Sequence, residues 1–169
     1  AFGMTFMIND AVVAEGGNLG CTQNGRIEYA QKGGLIYTDA IDNSAGVDCS
    51  DHEVNIKILL GAIVEAGDLT LKQRNDLLAS MTDEVGHLVL QDNYYQTQAL
   101  DIATHRPLYV LDGQQRLMHW LEGSNRLNRA IEFLPTDEEI AKRRARKVGL
   151  TSPENAVVLA YAKMSVFDE

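Results

Sequence analysis

Apolar residues change their period once along this chain, near residue 50. Before that point they come in short runs between polar turns. Residues 4–8 and 11–14 are two such runs, and Asn9-Asp10 between them reads as a turn. The run Ala11-Val12-Val13-Ala14 predicts a buried strand, and so does Leu35-Ile36-Tyr37-Thr38. Between these lie the glycine-rich Glu15-Gly16-Gly17-Asn18-Leu19-Gly20 and a helix over residues 22–32. Ile27 and Ala30 share one face of that helix, Gly25 weakens it, and Gly33-Gly34 stops it. Strand, glycine loop, helix, strand is the order of a parallel α/β unit.

From Asp51 the period is helical. Val54, Ile58, Leu59 and Ile63 form an apolar stripe that runs to about Ala66 and stops at Gly67. A second helix opens at Leu69-Thr70 and reaches Ser80. A long third one begins at Thr82 and ends near His105, because Pro107 disfavours helix before it. Residues 108–123 are helical with Leu111, Leu117, Trp120 and Leu121 inward. Residues 127–133 read as a short helix closed by Pro135, and 137–147 and 152–164 as two more. The pairs Ser50/Glu53, Thr70/Gln73, Thr136/Glu139 and Thr151/Glu154 each have capping-box spacing. Pro153 fits a first helical turn. Asp137-Glu138-Glu139 leading to Arg143-Arg144 and Arg146-Lys147 complements a helix dipole. The predicted fold is α/β and mainly helical: two or three short strands, then a multi-helix segment.

Composition narrows the function classes. The chain has 169 residues and a net charge of −9, with 45% hydrophobic residues. That is ordinary for a globular protein and wrong for a nucleic-acid binder, which needs a basic stripe. No apolar run approaches the roughly 20 residues that span a bilayer. Two cysteines, Cys21 and Cys49, make no disulfide framework and fit a reducing cytoplasm. Both ends read as cut, so a piece of a larger protein is expected.

Several residues invite chemistry, and each has a plainer reading. Gly16-Gly17-Asn18-Leu19-Gly20 follows a strand and precedes a helix, as phosphate-cradling loops do. It is neither G-x-G-x-x-G nor a P-loop, and a tight turn explains it equally. Ser50 reads as a helix N-cap that could also bind a carboxylate. Asp39, Asp42, Asp48 and Asp51 offer hard oxygen ligands, but their spacing matches no EF-hand, and caps and turns account for such residues. His52, His87, His105 and His119 have no zinc spacing. Tyr94-Tyr95 and Trp120 read as packing, and the basic run 142–147 as a solvated face.

Together these segments carry a resemblance. Ala14-Glu15-Gly16-Gly17-Asn18, Thr22, Gly25-Arg26-Ile27-Glu28-Tyr29-Ala30, Thr38 to Val47 and Ser50 to Leu60 are similar to the late part of the nucleotide-binding domain of glutamate dehydrogenases. The likeness is stronger to the very large NAD-specific class of bacteria. Glu132-Phe133-Leu134-Pro135, Gly149-Leu150-Thr151 and Ala160-Tyr161-Ala162-Lys163 agree with that class, so the likeness covers about residue 11 to the end. Gly17 stands where the smaller enzymes usually have alanine, Ser44-Ala45 replaces Ala-Gly, and Asp51 replaces an aromatic residue.

The resemblance implies oxidative deamination of L-glutamate with NAD: hydride leaves the substrate Cα for nicotinamide, and water hydrolyses the imine to 2-oxoglutarate and ammonium. It implies that Asn18 and Asn43, with Gly17, lie at the nicotinamide-ribose end of the cofactor, and that Val47 and Ser50 contact the substrate. Residues 1–50 would be the end of a Rossmann-type NAD-binding domain and 51–169 a helical segment packed on it. The family's catalytic lysines and aspartate precede this region and have no counterpart here. The fragment would supply one wall of an active site and would be inactive alone. Its partners would be the rest of the same polypeptide and further copies in a homo-oligomer. The competing class is a non-catalytic helical module for regulation or assembly.

Overall fold

The computed structural model describes residues 12–167. The apolar run at 4–8 and the turn at Asn9-Asp10 lie outside the described residues. Two strands and eight helices follow in chain order: β1 (Val12–Val13), α1 (Gln23–Gln31), β2 (Leu35–Ile36), α2 (Asp39–Asp42), α3 (Ser44–Glu65), α4 (Leu71–Ser80), α5 (Thr82–His105), α6 (Pro107–Gly123), α7 (Asp137–Ala145) and α8 (Ser152–Phe167). The chain forms two compact units. Among the described residues, one joins those up to Asp42 to those from Gln98 onward; the other is Asn43–Thr97.

In the first unit β1 and β2 pair in parallel, Val12 with Leu35 and Val13 with Ile36. The predicted β-α-β order is therefore present, with α1 as the crossover. The strands are not buried on both faces as their composition predicts. Ile36 is buried, but Val12 and Leu35 are each 62% exposed. As register partners those two occupy one face of the ladder, and among the described residues no helix covers it. Thr22 caps α1, its hydroxyl accepting the Gly25 amide at 3.2 Å. Gly33, at φ +91°, ends it as predicted.

The core of this unit lies among α6, α7, α8 and the turns between them. Leu111, Met118, Leu121, Leu127, Leu134, Ile140, Leu150 and Val158 are all buried in one cluster. Trp120, predicted inward, is half exposed, with the Arg126 guanidinium 5.9 Å from its ring centre. Residues 127–133 are turns rather than the predicted helix. The Asn128 side chain accepts the amides of Ala130 and Ile131, and Phe133 takes φ 54°. A local side-chain acceptor here competes with the helical ladder. The Thr136/Glu139 box forms in full. Glu154 reaches back to the Thr151 amide and hydroxyl at 2.7 and 2.8 Å. The same carboxylate takes a two-pronged contact from Arg143, at 2.6 and 2.8 Å, although it is 1% exposed. That pair fastens α7 to the start of α8, where Pro153 occupies the first turn.

The second unit is helical: α3, α4 and most of α5. The Thr70/Gln73 capping box forms in full, and Gly67 at φ +83° terminates α3 as predicted. The predicted inward stripe of this helix does not face inward. Val54, Ile58 and Leu59 are exposed, and Leu60 is the buried apolar residue of this helix. The side of α3 that meets α5 is polar. Ser44 donates to Asn93 Oδ1 at 2.5 Å, and the Asn93 amide donates to Asp48 at 2.8 Å. Gln96 donates to Ser44 at 2.9 Å, and His52 Nε2 lies 2.7 Å from Asp92 Oδ2. Tyr94 and Tyr95, read as packing residues, are exposed and meet each other edge-on at 5.9 Å. Among the described residues no helix is long and apolar enough to cross a membrane.

Candidate functional site

The glycine loop after β1 is shaped by charged side chains rather than by its glycines. Among the described residues, a Cβ added to Gly16 or Gly17 would meet nothing within 4 Å, so their packing does not demand glycine at either position. The open space there suits close approach of a ligand to the backbone. Asn18 and Leu19 both adopt left-handed backbone, at φ 60° and 61°. Asparagine tolerates that region; leucine seldom does, so Leu19 must be held in it. The Leu19 amide donates to Asp39 Oδ2 at 3.2 Å, the Gly20 amide to Glu15 Oε1, and the Glu15 amide to Asp42 Oδ2 at 2.8 Å. Arg26, buried on α1, lies 2.7 Å from Glu15 and 3.6 Å from Asp39.

The titration of these groups follows from that arrangement. Burial alone would raise the Glu15 carboxyl, but the Arg26 contact and the Gly20 amide outweigh it and hold it below its ordinary value. Asp39 is likewise lowered: burial opposes, while the Leu19 amide and Arg26 prevail. Asp42 goes the other way, raised by burial with the like charges of Glu15 and Asp39 behind it. Burial also raises the Cys21 thiol, aided by Glu15. Asp39 and Asp42, two of the four aspartates weighed as metal ligands, are thus engaged with backbone amides and Arg26. Asp48 accepts from Asn93.

Asn43, Val47 and Ser50 lie in the second unit and are not on a loop. The small-residue stretch predicted to link strand and helix is itself helical: α2 covers Asp39–Asp42, and α3 begins at Ser44. Asn43 is the N-cap residue of α3, although its side chain makes no capping bond to the helix. Ser50 is therefore not the predicted cap. It lies in the second turn and donates to Gly46 O at 3.3 Å, and Glu53 pairs with Lys57 one turn on instead of completing a box. The free amides at the start of α3, which would let an N-cap serine bind a carboxylate, are one and a half turns away. Spacings of four and three bring Asn43, Val47 and Ser50 onto one stripe of α3, extended by Val54. Val47, Ser50 and Val54 are exposed.

Gly17 and Asn18 are thus together in the first unit, and Asn43, Val47 and Ser50 are together in the second. The residue that pattern reasoning missed is Arg26. Its signal was a charge imbalance: Arg26 and Lys32 are the basic residues of 12–53, against seven carboxylates. A cavity of about 510 Å³ opens between α1 and the 129–135 turn, lined by Thr22, Gly25, Arg129, Phe133 and Leu134 among others. None of the predicted site residues lines it. Its Arg129 is paired with Glu122 at 2.7 Å and Asp137 at 3.0 Å. Among the described residues no group of His, Cys, Asp and Glu is arranged to hold a metal ion.

The Asn18 side chain is an amide that can both donate and accept, and the loop beside it leaves room at two glycines; Asn43 carries the same group in the second unit. Each amide, taken within its own unit, has the chemistry to bond a carboxamide or a ribose hydroxyl. The family described as bacterial NAD-glutamate dehydrogenase, catalytic domain, matches residues 5–103, which include every residue of both candidate groups. The NAD-specific glutamate dehydrogenase of Halomonas elongata is 54% identical over 156 residues, and that of Pseudomonas aeruginosa 56% over 155; each match covers 92% of this chain. The Mycobacterium tuberculosis enzyme of the same name is 47% identical over 158 residues, 94% of the chain. The chain spans about 10% of the length of each of these relatives. It belongs to the bacterial NAD-specific glutamate dehydrogenase family, as a segment of the catalytic region.

Proposed function

We propose that this chain supplies one wall of the active site of an NAD-dependent glutamate dehydrogenase, which converts L-glutamate to 2-oxoglutarate and ammonium. The family match across residues 5–103 carries this reading, because that span holds both the glycine loop and the α3 stripe. Residues 1–50 are read as the end of a Rossmann-type NAD-binding domain, consistent with the parallel β1–β2 pair, and 51–169 as the helical segment that follows. The cofactor, when bound, would supply the acceptor for the hydride of the substrate Cα.

The chain's own residues bind and orient. Asn18 and Asn43 hydrogen-bond the nicotinamide end of the cofactor, and Gly17 lets the backbone approach it. Val47 and Ser50 meet the substrate from the exposed stripe of α3, Val47 by apolar contact and Ser50 through its hydroxyl. With the N-terminal amides of α3 remote from Ser50, the hydroxyl must turn from Gly46 O to donate to the substrate carboxylate. The proton-transfer groups come from the rest of the longer polypeptide, so the segment alone is inactive. The whole enzyme is read as a cytoplasmic homo-oligomer.

Kinetics of the full-length enzyme test the assignment. Asn43→Ala should raise the KM for NAD, and Ser50→Ala the KM for glutamate, each by about tenfold for one lost hydrogen bond to a charged or desolvated partner. Unchanged KM and turnover for both substrates in both variants would remove it.

A further inference from the structure

We propose that Arg26 is a positioning residue: through Glu15 and Asp39 it holds the Gly16–Gly20 loop in the conformation that presents Asn18 to the cofactor. This rests on the reading that the loop serves the cofactor. One guanidinium lies between two carboxylates, 2.7 Å from Glu15 Oε2 and 3.6 Å from Asp39 Oδ1. Each carboxylate then uses its other oxygen on the far side of the loop, Glu15 on the Gly20 amide and Asp39 on the Leu19 amide. The near side is held as well, because Asp42 takes the amide of Glu15 itself. Leu19 is therefore kept in left-handed backbone by a bond whose acceptor is oriented by Arg26, and Asn18 is the residue directly before it.

Without Arg26, Glu15, Asp39 and Asp42 would face one another with no cation among the groups holding the loop. Like charges repel strongly where burial limits screening, so the carboxylates would separate and release the two amides. Both contacts are made by one nitrogen, Nη2, at the far end of a rigid planar group, whereas lysine ends in a compact ammonium on a shorter, flexible stem that nothing holds at that point. The side chain of Arg26 is 7% exposed, so it acts on a ligand only through the loop.

The test uses the full-length enzyme with Arg26→Lys, Arg26→Met and Glu15→Gln, and with Asn18→Ala as the reference for the loop itself. Amide hydrogen exchange of the peptide spanning residues 15–21 is measured without cofactor, and KM is measured for NAD and glutamate separately. Arg26→Lys should speed loop exchange by about tenfold and raise the NAD KM about tenfold, the loss of one charge-assisted contact, with the glutamate KM within about twofold. Glu15→Gln should move both readouts in the same direction by less. Should Arg26→Met fail to fold, those two variants still decide the matter. Unchanged loop exchange in both overturns the proposal, and so does a rise of both KM values together. If Asn18→Ala leaves the NAD KM unaltered, the cofactor reading of the loop fails and takes this role with it. Faster exchange in Arg26→Lys would then identify a purely structural clamp, which separates the two failures.

Discussion

The two compact units are built on opposite terms. The unit containing α6, α7 and α8 has a contiguous apolar core, with Met118 and Ile140 fully enclosed and Leu111 and Leu121 nearly so. The unit of residues 43–97 buries Leu60 and Val89 and leaves Val47, Val54, Ile58, Leu59, Leu71, Leu90 and Tyr94 exposed. Its α3 and α5 meet through Ser44, Asp48, His52, Asp92, Asn93 and Gln96. A core supplies non-directional stabilisation in proportion to area, whereas a polar contact supplies little net energy but fixes one geometry. The first unit is where stability resides. The second presents a defined surface.

Substitutions can break that contrast. Met118→Ala opens a cavity in a closed core and should cost about 3 kcal/mol in urea denaturation. A cost below about 1 kcal/mol would mean the core is not the stabilising element. Asn93→Ala removes the side chain that accepts from Ser44 and donates to Asp48 and Val89 O. It should cost about 1–2 kcal/mol, and hydrogen exchange should rise in the first three turns of α3 while α8 stays protected. Acid adds a smaller, graded loss in the first unit. Glu15, Asp39, Glu122 and Glu139 all titrate below their ordinary values in the folded chain. The stability they contribute is complete above the ordinary glutamate value of 4.5 and declines as pH falls from there through the folded values. Asp42, shifted upward, opposes the trend. Urea midpoints at pH 6 and pH 3.5 should show the fall. Ile58→Ser should have the smallest effect, within about 0.5 kcal/mol, because the side chain is 65% exposed.

Local chemistry made much of the helical segment legible. Thr70/Gln73 and Thr136/Glu139 mark two starts where they occur, and Pro107 separates α5 from α6. Two places resisted. Residues 39–50 are rich in Asp, Asn, Ser and Gly, which favour turns, yet they are mostly helical; Ser44 and Asp48 find partners on α5 that no local pattern reveals. Residues 127–133 have helical spacing, but the Asn128 side chain takes amides that a helix would use. The candidate site divides in the same way. Gly17, Asn18, Asn43, Val47 and Ser50 were reached through resemblance, while the Arg26 network depends on contacts between residues 11 and 13 positions apart.

That Asn43, Val47 and Ser50 are carried on a helix turns their spacing from a length into a phase. A flexible link can absorb an extra residue by bulging. A helix cannot, because each added residue turns everything beyond it by about 100°. One residue inserted between Val47 and Ser50 would swing the hydroxyl off the stripe while leaving α3 folded. For the proposed site, the reading frame of this short segment is therefore a more exacting requirement than the identity of most residues within it.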